Sequence, residues 1–543
     1  MKNRVVVFIA LILLAHFILI LCCIKANSPT CDEIAHHVAS GYSYLAAKDF
    51  RMNPANPPFI REISALPLLF LNLKAPFNSE SWERGDSPVF GREFFYLVNN
   101  NADEITFWSR VPIAILSVIL GLIVFLWSNS LYGHKGGILS LALYSFSPNI
   151  IANAGLATVD LGATLFIFAS VFSFWMFSKR QSAVNLVLTG VLFGLALASK
   201  YTSVFLAPIF IFFAVQNNGF LKAARIIFAV FVIGAVTLLS SYFFEFKPLI
   251  KNAPDLSEKI EYIKKFVEKT HFEKTGLTKE AAIWAAQNVP IPFSAYLIGL
   301  AGVIHQNSVG GYHTFLLGKV SDAGFWNYFI VAFLVKSTLP VLLLFVGAIV
   351  LLFMPNRNRK TEILFLAVPI AVLFSILLPN KAQVGIRHLL PVYPFIFVLI
   401  GSLAAITVKS VIKYGIFVIA ISWQFMSLMT AFPYPIAYFN EMAGGPDNGY
   451  KILRDSNLDW GQGLKALGAY IEKNRIEKIK LYYFGTADPS YYKIPFQGMA
   501  GADFTEPGKG IYAISAQYLG SVPWAEQSVP IAKVAHSIFI YEI

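Results

Sequence analysis

The stretch VVVFIALILLAHFILILCCI, residues 5–24, decides the fold because a helix of this length crosses a ~30 Å hydrocarbon layer. It follows the basic start MKNR, but it is longer than the apolar part of a secretory signal, and CCIKANS offers no small-residue cleavage site. We therefore interpret it as an uncleaved first span. The stretch TCDEIAHHVASGYSYLAAKDFRMNPANPPF, residues 30–59, then places acids and histidines directly beside the membrane.

The composition indicates an integral membrane protein. Of the 543 residues, 56% are hydrophobic and only 14% are charged, and the mean hydropathy is +0.60. The net charge of +12 does not indicate nucleic-acid binding, because most Lys and Arg stand in short segments between apolar runs rather than among stacking aromatics. The three cysteines form neither a disulfide framework nor a CxxC metal site.

Apolar runs along the chain predict a polytopic α-helical membrane protein with about eleven transmembrane helices. The runs lie near residues 5–24, 111–127, 136–152, 161–177, 184–199, 203–216, 226–244, 328–353, 363–379, 391–407 and 411–430. With the N-terminus inside, twelve Lys and Arg fall in inner short segments and three in outer short loops. This asymmetry predicts a protein of the cytoplasmic membrane with its N-terminus inside and its C-terminus outside.

The polar stretches predict two parts. Residues 1–431 would form the membrane module, with outer loops at 25–110 and 245–327, and residues 432–543 a small extracytoplasmic α/β domain. In that tail, the helix pattern GLKALGAYIEKN precedes strand-like runs KIKLYYFG, GIYAISAQYLG and HSIFIYEI. The amphipathic pattern DLSEKIEYIKKFVEKTHFEKTGL in the second loop indicates a helix lying at the membrane surface.

The acidic pair after the first span has two interpretations. Thr30 and Glu33 have capping-box spacing, and Asp32 suits the first turn of a helix. Alternatively, a carboxylate at the membrane surface can act as general base toward a hydroxyl group. His36 and His37 could join Asp32 in binding a divalent metal ion, although the spacing matches no established zinc motif.

Short outer loops carry further charges. NAGLATVDLGA places Asp160 at the outer end of a span, where it either caps the helix or contacts a ligand. Lys200 in LASKYTS, with Arg387 and His388 in GIRHLLPVYP, stands outside against the charge trend. Snorkelling explains any one cation, but several together favour a shared site for a phosphate. No GxxxxGK[ST] loop is present, so an anionic lipid is a better candidate than a soluble nucleotide.

Two other positions stay open in the sequence. Lys336 in FLVKSTLP is either buried for function or marks the start of a span. In DSNLDWGQGLKAL, Asp459 and Gln462 have capping-box spacing before a helix, and Trp460 is interpreted as a packing residue.

These motifs together resemble the GT-C membrane glycosyltransferases. The shared features are DE after the first span, NPPF, the Asp160 loop, SKYT, GIRHLLPVYPF, and YFNEMAGGP followed by DSNLDWGQ, over about residues 5–475. The chain is most similar to phospholipid-carrier-dependent enzymes related to protein O-mannosyltransferases and lipid A aminoarabinose transferases. The resemblance implies transfer of a sugar from polyprenyl phosphate, with inversion, to a hydroxyl of a protein, lipid or glycan at the outer face.

The resemblance also implies roles for individual residues. Asp32 would be the catalytic base and Glu33 its acidic partner. Asp160 would contact the substrate, and its phosphate would be bound by Lys200, Arg387 and His388. Asn56 stands where the family commonly has the histidine of His-Pro-Pro. An asparagine there can hydrogen-bond a substrate, but it cannot carry charge or a proton.

A transporter or flippase of a lipid-linked or anionic substrate is the alternative. It would use the same cations, but it predicts ionisable residues deep within spans and broken helices near the midplane. The sequence identifies neither the sugar nor the acceptor, and it is silent on oligomeric state.

Overall fold

The computed structural model describes residues 2–250, 279–353, 360–406 and 410–543, and the chain is predominantly helical. The amphipathic helix predicted at 255–277 lies outside the described residues. The longer helices are Lys2–Ala26, Val38–Ala47, Phe59–Ala65, Ala102–Ser145, Pro148–Ala154, Asp160–Lys179, Ala183–Ser199, Leu206–Asn217, Phe220–Ser240, Lys279–Asn288, Ser294–Val309, Tyr328–Lys336, Leu339–Leu352, Lys360–Ser375, Tyr393–Ile400, Ser410–Met429 and Leu464–Lys473.

The predicted multi-pass membrane architecture is confirmed. Within the described residues, six helices are long and apolar enough to cross a membrane, or seven if the bent pair Tyr328–Lys336 and Leu339–Leu352 counts as one span. The predicted runs at 184–199, 203–216 and 363–379 correspond to shorter apolar helices of 10–17 residues. The total of eleven spans therefore stays a prediction.

The runs at 111–127 and 136–152 were predicted as separate spans. In the structure both belong to the stretch Ala102–Ser145, which consists of two helices separated by a kink at Gly133. This residue has φ of +76°, a left-handed conformation that glycine adopts without a steric penalty. The stretch ends at Ser145, and residues Pro148–Ala154 form a separate short helix.

Small residues let helices of the bundle approach closely. A Cβ atom on Gly194 would lie 2.5 Å from the backbone oxygen of Gly234, so the helices Ala183–Ser199 and Phe220–Ser240 meet backbone to backbone at this point. Close contact through small residues is a principal source of helix association in lipid, where no hydrophobic driving force acts between helices.

The polar residues after the first span fold against its C-terminal end. The turn Glu33–His37 is π-helical and precedes the helix Val38–Ala47. A Cβ atom on Gly91 would lie 1.9 Å from the oxygen of Ile34, so the segment around residue 91 packs directly on this turn. This segment therefore covers one side of the turn.

The predicted α/β unit near the C-terminus is present. Its five-stranded sheet has the order Phe496–Gly498, Ile479–Tyr482, Ile511–Ser515, Ile538–Glu542, Ala532–Val534. The first two pairings are parallel and the last two are antiparallel. The helix Leu464–Lys473 buries Leu464, Leu467 and Ile471. The edge strands at 496 and 532 were not predicted, because three residues carry little periodic signal. Two antiparallel strand pairs lie outside this sheet: Phe246–Lys247 with Ile291–Pro292, and Thr314–Leu316 with Lys319–Ser321.

Lys336 joins the membrane bundle to the chain that follows the last span. It ends the helix Tyr328–Lys336, where the chain bends by 113°. Its ammonium is buried and donates to the backbone oxygens of Ile436, Tyr438 and Asn457 at 2.8, 2.5 and 2.6 Å. The residue is therefore buried and marks a break between helices, and a functional role for it stays a prediction.

We predict that Lys336→Met lowers the free energy of unfolding by about 3 kcal/mol or more, because it leaves three buried carbonyl groups without a donor. The measurement is thermal unfolding in detergent, with Lys135→Met as the control, since Lys135 is exposed. An unchanged unfolding temperature for Lys336→Met would show that the three contacts do not support the fold.

Candidate functional site

Four charged side chains from distant parts of the chain meet near the C-terminal end of the first span. The guanidinium of Arg387 donates to Asp32 at 2.9 Å and lies 3.8 Å from Asp160. The ammonium of Lys200 donates to Asp160 at 2.6 Å. The structure therefore brings together Asp32, Asp160, Lys200 and Arg387, which we call the charge cluster.

Each member of the charge cluster stands at the end of a helical element. Asp160 begins the helix Asp160–Lys179, and Lys200 is an extended residue directly after Ala183–Ser199. Arg387 lies in the 3₁₀ turn Ile386–Val392. Charged residues at helix ends avoid the apolar middle of the bundle.

The cluster is balanced in charge and unequal in exposure. Its two carboxylates and two cations sum to zero at neutral pH. The side chain of Asp32 is 22% exposed, against 15% for Arg387, 13% for Lys200 and 2% for Asp160. Asp32 is thus the carboxylate that a substrate can reach. The Oδ2 atom of Asp160 has no hydrogen-bond partner among the residues that the structure describes, so this carboxylate keeps acceptor capacity.

The surroundings of Asp32 favour its ionised form. Burial alone would raise the pKa of this carboxyl group, but the guanidinium of Arg387 lowers it, and the net effect holds the pKa below its ordinary value. Asp32 is therefore unprotonated at neutral pH, which is the state that a general base requires.

Glu33 has different surroundings from Asp32. Its carboxylate is buried and accepts hydrogen bonds from the backbone and hydroxyl of Thr30 at 2.8 and 2.9 Å. Only the backbone contact belongs to the predicted capping box, since in a capping box the hydroxyl would accept from the backbone N–H of Glu33. It also accepts from the backbone N–H of Ala157 at 2.6 Å and forms a two-point pair with Arg110 at 2.8 and 2.6 Å. These contacts engage both oxygens, so a direct catalytic role for Glu33 stays a prediction that the geometry does not favour.

Arg110 is a residue that the sequence interpretation missed. Its guanidinium also donates to the backbone oxygens of Ile24, Asn27 and Ser28 at 3.3, 3.0 and 2.8 Å. It therefore ties the C-terminal end of the first span to Glu33. A signal was available, because an arginine beside the apolar run at 111–127 needs a partner that neutralises it.

The proposed metal ligands do not form a metal site. Burial lowers the pKa of His37 to about 3, and the pKa of His36 is lowered as well, so both rings are neutral. Neutral rings could bind a metal ion, but Asp32, the third proposed ligand, is already paired with Arg387. In the described ranges, no group of three or more His, Cys, Asp or Glu residues could hold a metal ion. The residues present do not fit a divalent cation, and we derive no step through one.

Two further predicted residues lie at the margin of the cluster. The His388 ring stacks on Phe329 at 6.1 Å, and its Nδ1 atom is buried without a partner in the described chain. Asn56 lines a narrow cleft together with Arg61 and Tyr201. The guanidinium of Arg61 donates to the backbone oxygen of Asn56. Substrate contacts by His388 and Asn56 stay predictions.

Comparisons with known proteins address the family and the fold. A family model described as dolichyl-phosphate-mannose-protein mannosyltransferase matches residues 92–243. No curated protein matches the chain in sequence.

Similar structures extend over nearly the whole chain. The crystal structure of ArnT from Cupriavidus metallidurans bound to undecaprenyl phosphate is 12% identical, with 99% of this chain and 98% of that chain covered and a TM-score of 0.50. The archaeal oligosaccharyltransferase AglB from Archaeoglobus fulgidus, in complex with an inhibitory peptide and a dolichol-phosphate, is 12% identical, with 100% and 74% covered and a TM-score of 0.46. The fold predicted from the motifs is confirmed.

We predict that Glu33→Gln and Arg110→Gln each destabilise the protein by about 3–5 kcal/mol, because each leaves the other charge buried and unpaired. Thermal unfolding in detergent measures the effect, and the double variant should lose less than the sum of the single losses. Additive losses would show that the two charges do not stabilise one another.

Proposed function

We propose that this chain, which has the GT-C fold, is a glycosyltransferase that moves a sugar from polyprenyl phosphate to a hydroxyl group with inversion at the anomeric carbon. The observation that carries the proposal is the charge cluster, in which an accessible carboxylate, Asp32, lies 2.9 Å from a guanidinium and near a second cation. A base beside cations is what this reaction needs, because a proton leaves the acceptor while negative charge develops on phosphate.

Arg387 and Lys200 would hold the donor phosphate. An arginine offers a planar fork of donors that suits phosphate oxygens, and lysine adds a compact positive charge. In the structure described here both cations are paired with carboxylates of the protein, Asp32 and Asp160. A phosphate that enters would take over part of these contacts, so the two carboxylates keep the cations oriented until the donor arrives.

Asp32 would act as the base. The acceptor oxygen forms a bond to the anomeric carbon, its proton passes to Asp32, and the bond from that carbon to the phosphate oxygen breaks with its electron pair leaving on polyprenyl phosphate. Attack from the face opposite the phosphate inverts the configuration. Arg387 and Lys200 stabilise the charge that develops on the leaving phosphate.

The shared arginine links donor binding to basicity. Arg387 lowers the pKa of Asp32, and a carboxylate with a lowered pKa is a weak base. When a phosphate attracts the same guanidinium, Asp32 loses part of this stabilisation and its pKa rises. The base would therefore become stronger only when a donor is present, which limits unproductive proton transfer.

The finer assignments rest on the motifs and on the similar proteins. The similar ArnT structure holds undecaprenyl phosphate, which supports a polyprenyl-phosphate donor for this chain. The orientation with the N-terminus inside, the location in the cytoplasmic membrane, and a reaction at the outer face follow from the charge asymmetry of the loops. The division at residue 432 into a membrane module and an extracytoplasmic domain is likewise part of the proposal.

The transporter alternative has one observation in its favour. The bent pair Tyr328–Lys336 and Leu339–Leu352 contains a buried lysine at its break, as transporters with broken helices do. The Lys336 ammonium is nevertheless occupied by three backbone oxygens, those of Ile436, Tyr438 and Asn457. A cation held in this way does not line a substrate path, so the transferase is the better account.

We predict that Asp32→Asn lowers turnover at least ~100-fold while the protein still folds and binds donor. The assay uses purified protein in lipid vesicles, a panel of radiolabelled polyprenyl-phosphate sugars, and a total membrane fraction as acceptor. It follows release of polyprenyl phosphate and transfer of the label. Asp49→Asn is a matched control, because the Asp49 side chain is also 22% exposed and also pairs with an arginine, Arg51 at 2.7 Å.

Three outcomes are distinguishable. Loss of turnover in Asp32→Asn alone supports the proposal. Equal turnover in the wild type and Asp32→Asn would place the base elsewhere. Donor binding or translocation by the wild type, without turnover of any sugar in the panel, would contradict the transferase and favour the transporter.

The pH dependence of kcat/KM tests the pair of Asp32 and Arg387. The base must be unprotonated, so activity falls as the pH drops through the pKa of Asp32, which is lowered in the wild type. In Arg387→Gln, burial becomes the dominant influence and raises that pKa. We predict that the acid limb moves to higher pH in this variant, whatever the loss in absolute rate, and an acid limb at the same pH would contradict the assignment.

A further inference from the structure

The segment Asp455–Gln462, DSNLDWGQ, lies against the charge cluster although it follows the last span by many residues. The predicted capping box within it is wrong, because the helix begins only at Leu464 and the side chain of Gln462 instead accepts from the backbone N–H of Trp460 at 2.7 Å. The segment begins with the 3₁₀ turn Asp455–Asn457, and it contacts the residues next to Asp32 and next to Arg387.

One set of contacts fixes the chain next to Asp32. The backbone N–H of Cys31 donates to the oxygen of Trp460 at 2.9 Å, and the N–H of Ser28 donates to the oxygen of Gln462 at 3.1 Å. The oxygen of Cys31 accepts from the Thr486 hydroxyl at 3.1 Å. Both backbone polar groups of the residue before Asp32 are therefore held by residues of the C-terminal part of the chain.

A second set of contacts fixes the chain next to Arg387. The backbone N–H of Ile386 donates to the side-chain oxygen of Asn457 at 2.9 Å, and the Ser456 hydroxyl donates to the oxygen of Val384. Gly385 has φ of +121°, and a Cβ atom there would lie 2.3 Å from the Ser456 oxygen. Only a glycine permits this close approach of the segment to the arginine loop.

Trp460 completes the arrangement with its ring. The guanidinium carbon of Arg387 lies 4.2 Å from the centre of the Trp460 ring, within the range of a cation–π interaction. The indole is 3% exposed, so water competes little for this contact. The ring covers one face of the guanidinium and leaves its edge directed at Asp32.

We infer that Trp460 is a positioning residue that orients Arg387 toward Asp32 and toward the donor phosphate, so that the C-terminal part of the chain forms one wall of the donor site. The inference rests on the proposed function. A planar cation on a long side chain has many rotamers, and a donor site gains affinity when these are restricted before binding. Stacking on a buried ring provides this restriction without competing for the N–H donors that a phosphate needs.

Kinetics of Trp460→Leu and Trp460→Phe test the inference. We expect Trp460→Leu to lower kcat/KM for the lipid-linked donor roughly tenfold, mainly through KM, because a desolvated cation–π contact is lost. The KM for the acceptor should stay unchanged. Trp460→Phe keeps an aromatic face and should recover most of the loss. Trp524→Leu is the control, since Trp524 packs between Tyr512 and Tyr541 in the same part of the chain.

A double-mutant cycle separates positioning from folding. If Trp460 acts through Arg387, Trp460→Leu has little further effect on donor KM in an Arg387→Gln background. Equal effects of Trp460→Leu on donor KM in both backgrounds would overturn the inference. So would a loss of activity that equals the loss in Trp524→Leu and is fully explained by a smaller amount of folded protein. In either case Trp460 would be a packing residue.

Binding of radiolabelled undecaprenyl phosphate, measured without a sugar, tests the role of Trp460 independently of turnover. Weaker binding to Trp460→Leu than to the wild type, with no turnover of any sugar by either, would leave the positioning role intact and reject the proposed function. Equal binding to both proteins would reject the positioning role. Absence of specific binding to the wild type would overturn both.

Discussion

The buried pair of Glu33 and Arg110 is the contact on which the site depends. Two buried charges are costly in a membrane protein unless each finds a complete set of partners. Here the Glu33 carboxylate accepts from Thr30 and Ala157 as well as from Arg110, and Arg110 also binds carbonyls at the end of the first span. Asp32 is the next residue to Glu33, and Asp160 follows Ala157 by three positions. One ion pair thus sets the positions of both carboxylates of the charge cluster.

The charge cluster supplies the reactive groups of the candidate site, and the pair of Glu33 and Arg110 holds the chain that carries them. The formal charges of the cluster's four side chains sum to zero, so they can lie together where little water is present. Asp32 is the most exposed of the four and is therefore the accessible member. Arg387 pairs with Asp32 in the free protein and would bind a phosphate in the complex. In the proposed mechanism, a single cation shared between base and leaving group would link binding to chemistry, with no moving element needed beyond a side chain.

The sequence predicted what depends on local pattern and missed what depends on tertiary contact. Apolar length identified the spans, and alternation identified the central strands of the C-terminal sheet. The outer-loop charges pointed to Asp32, Asp160, Lys200 and Arg387, although Arg387 pairs with Asp32 across 355 positions. Arg110 and the stacking of Trp460 on Arg387 were not predicted, because neither contact has a periodic or local signature. The capping box at Asp459 was wrong because a turn can use the same residue types as a helix end.

The most direct test is a structure of the protein with undecaprenyl phosphate bound, determined by cryo-electron microscopy in lipid nanodiscs. The account predicts phosphate oxygens within hydrogen-bond distance of both the Arg387 guanidinium and the Lys200 ammonium, with the contact between Arg387 and Asp32 lengthened from 2.9 Å. A phosphate bound elsewhere, with the pairs of the charge cluster unchanged, would contradict it.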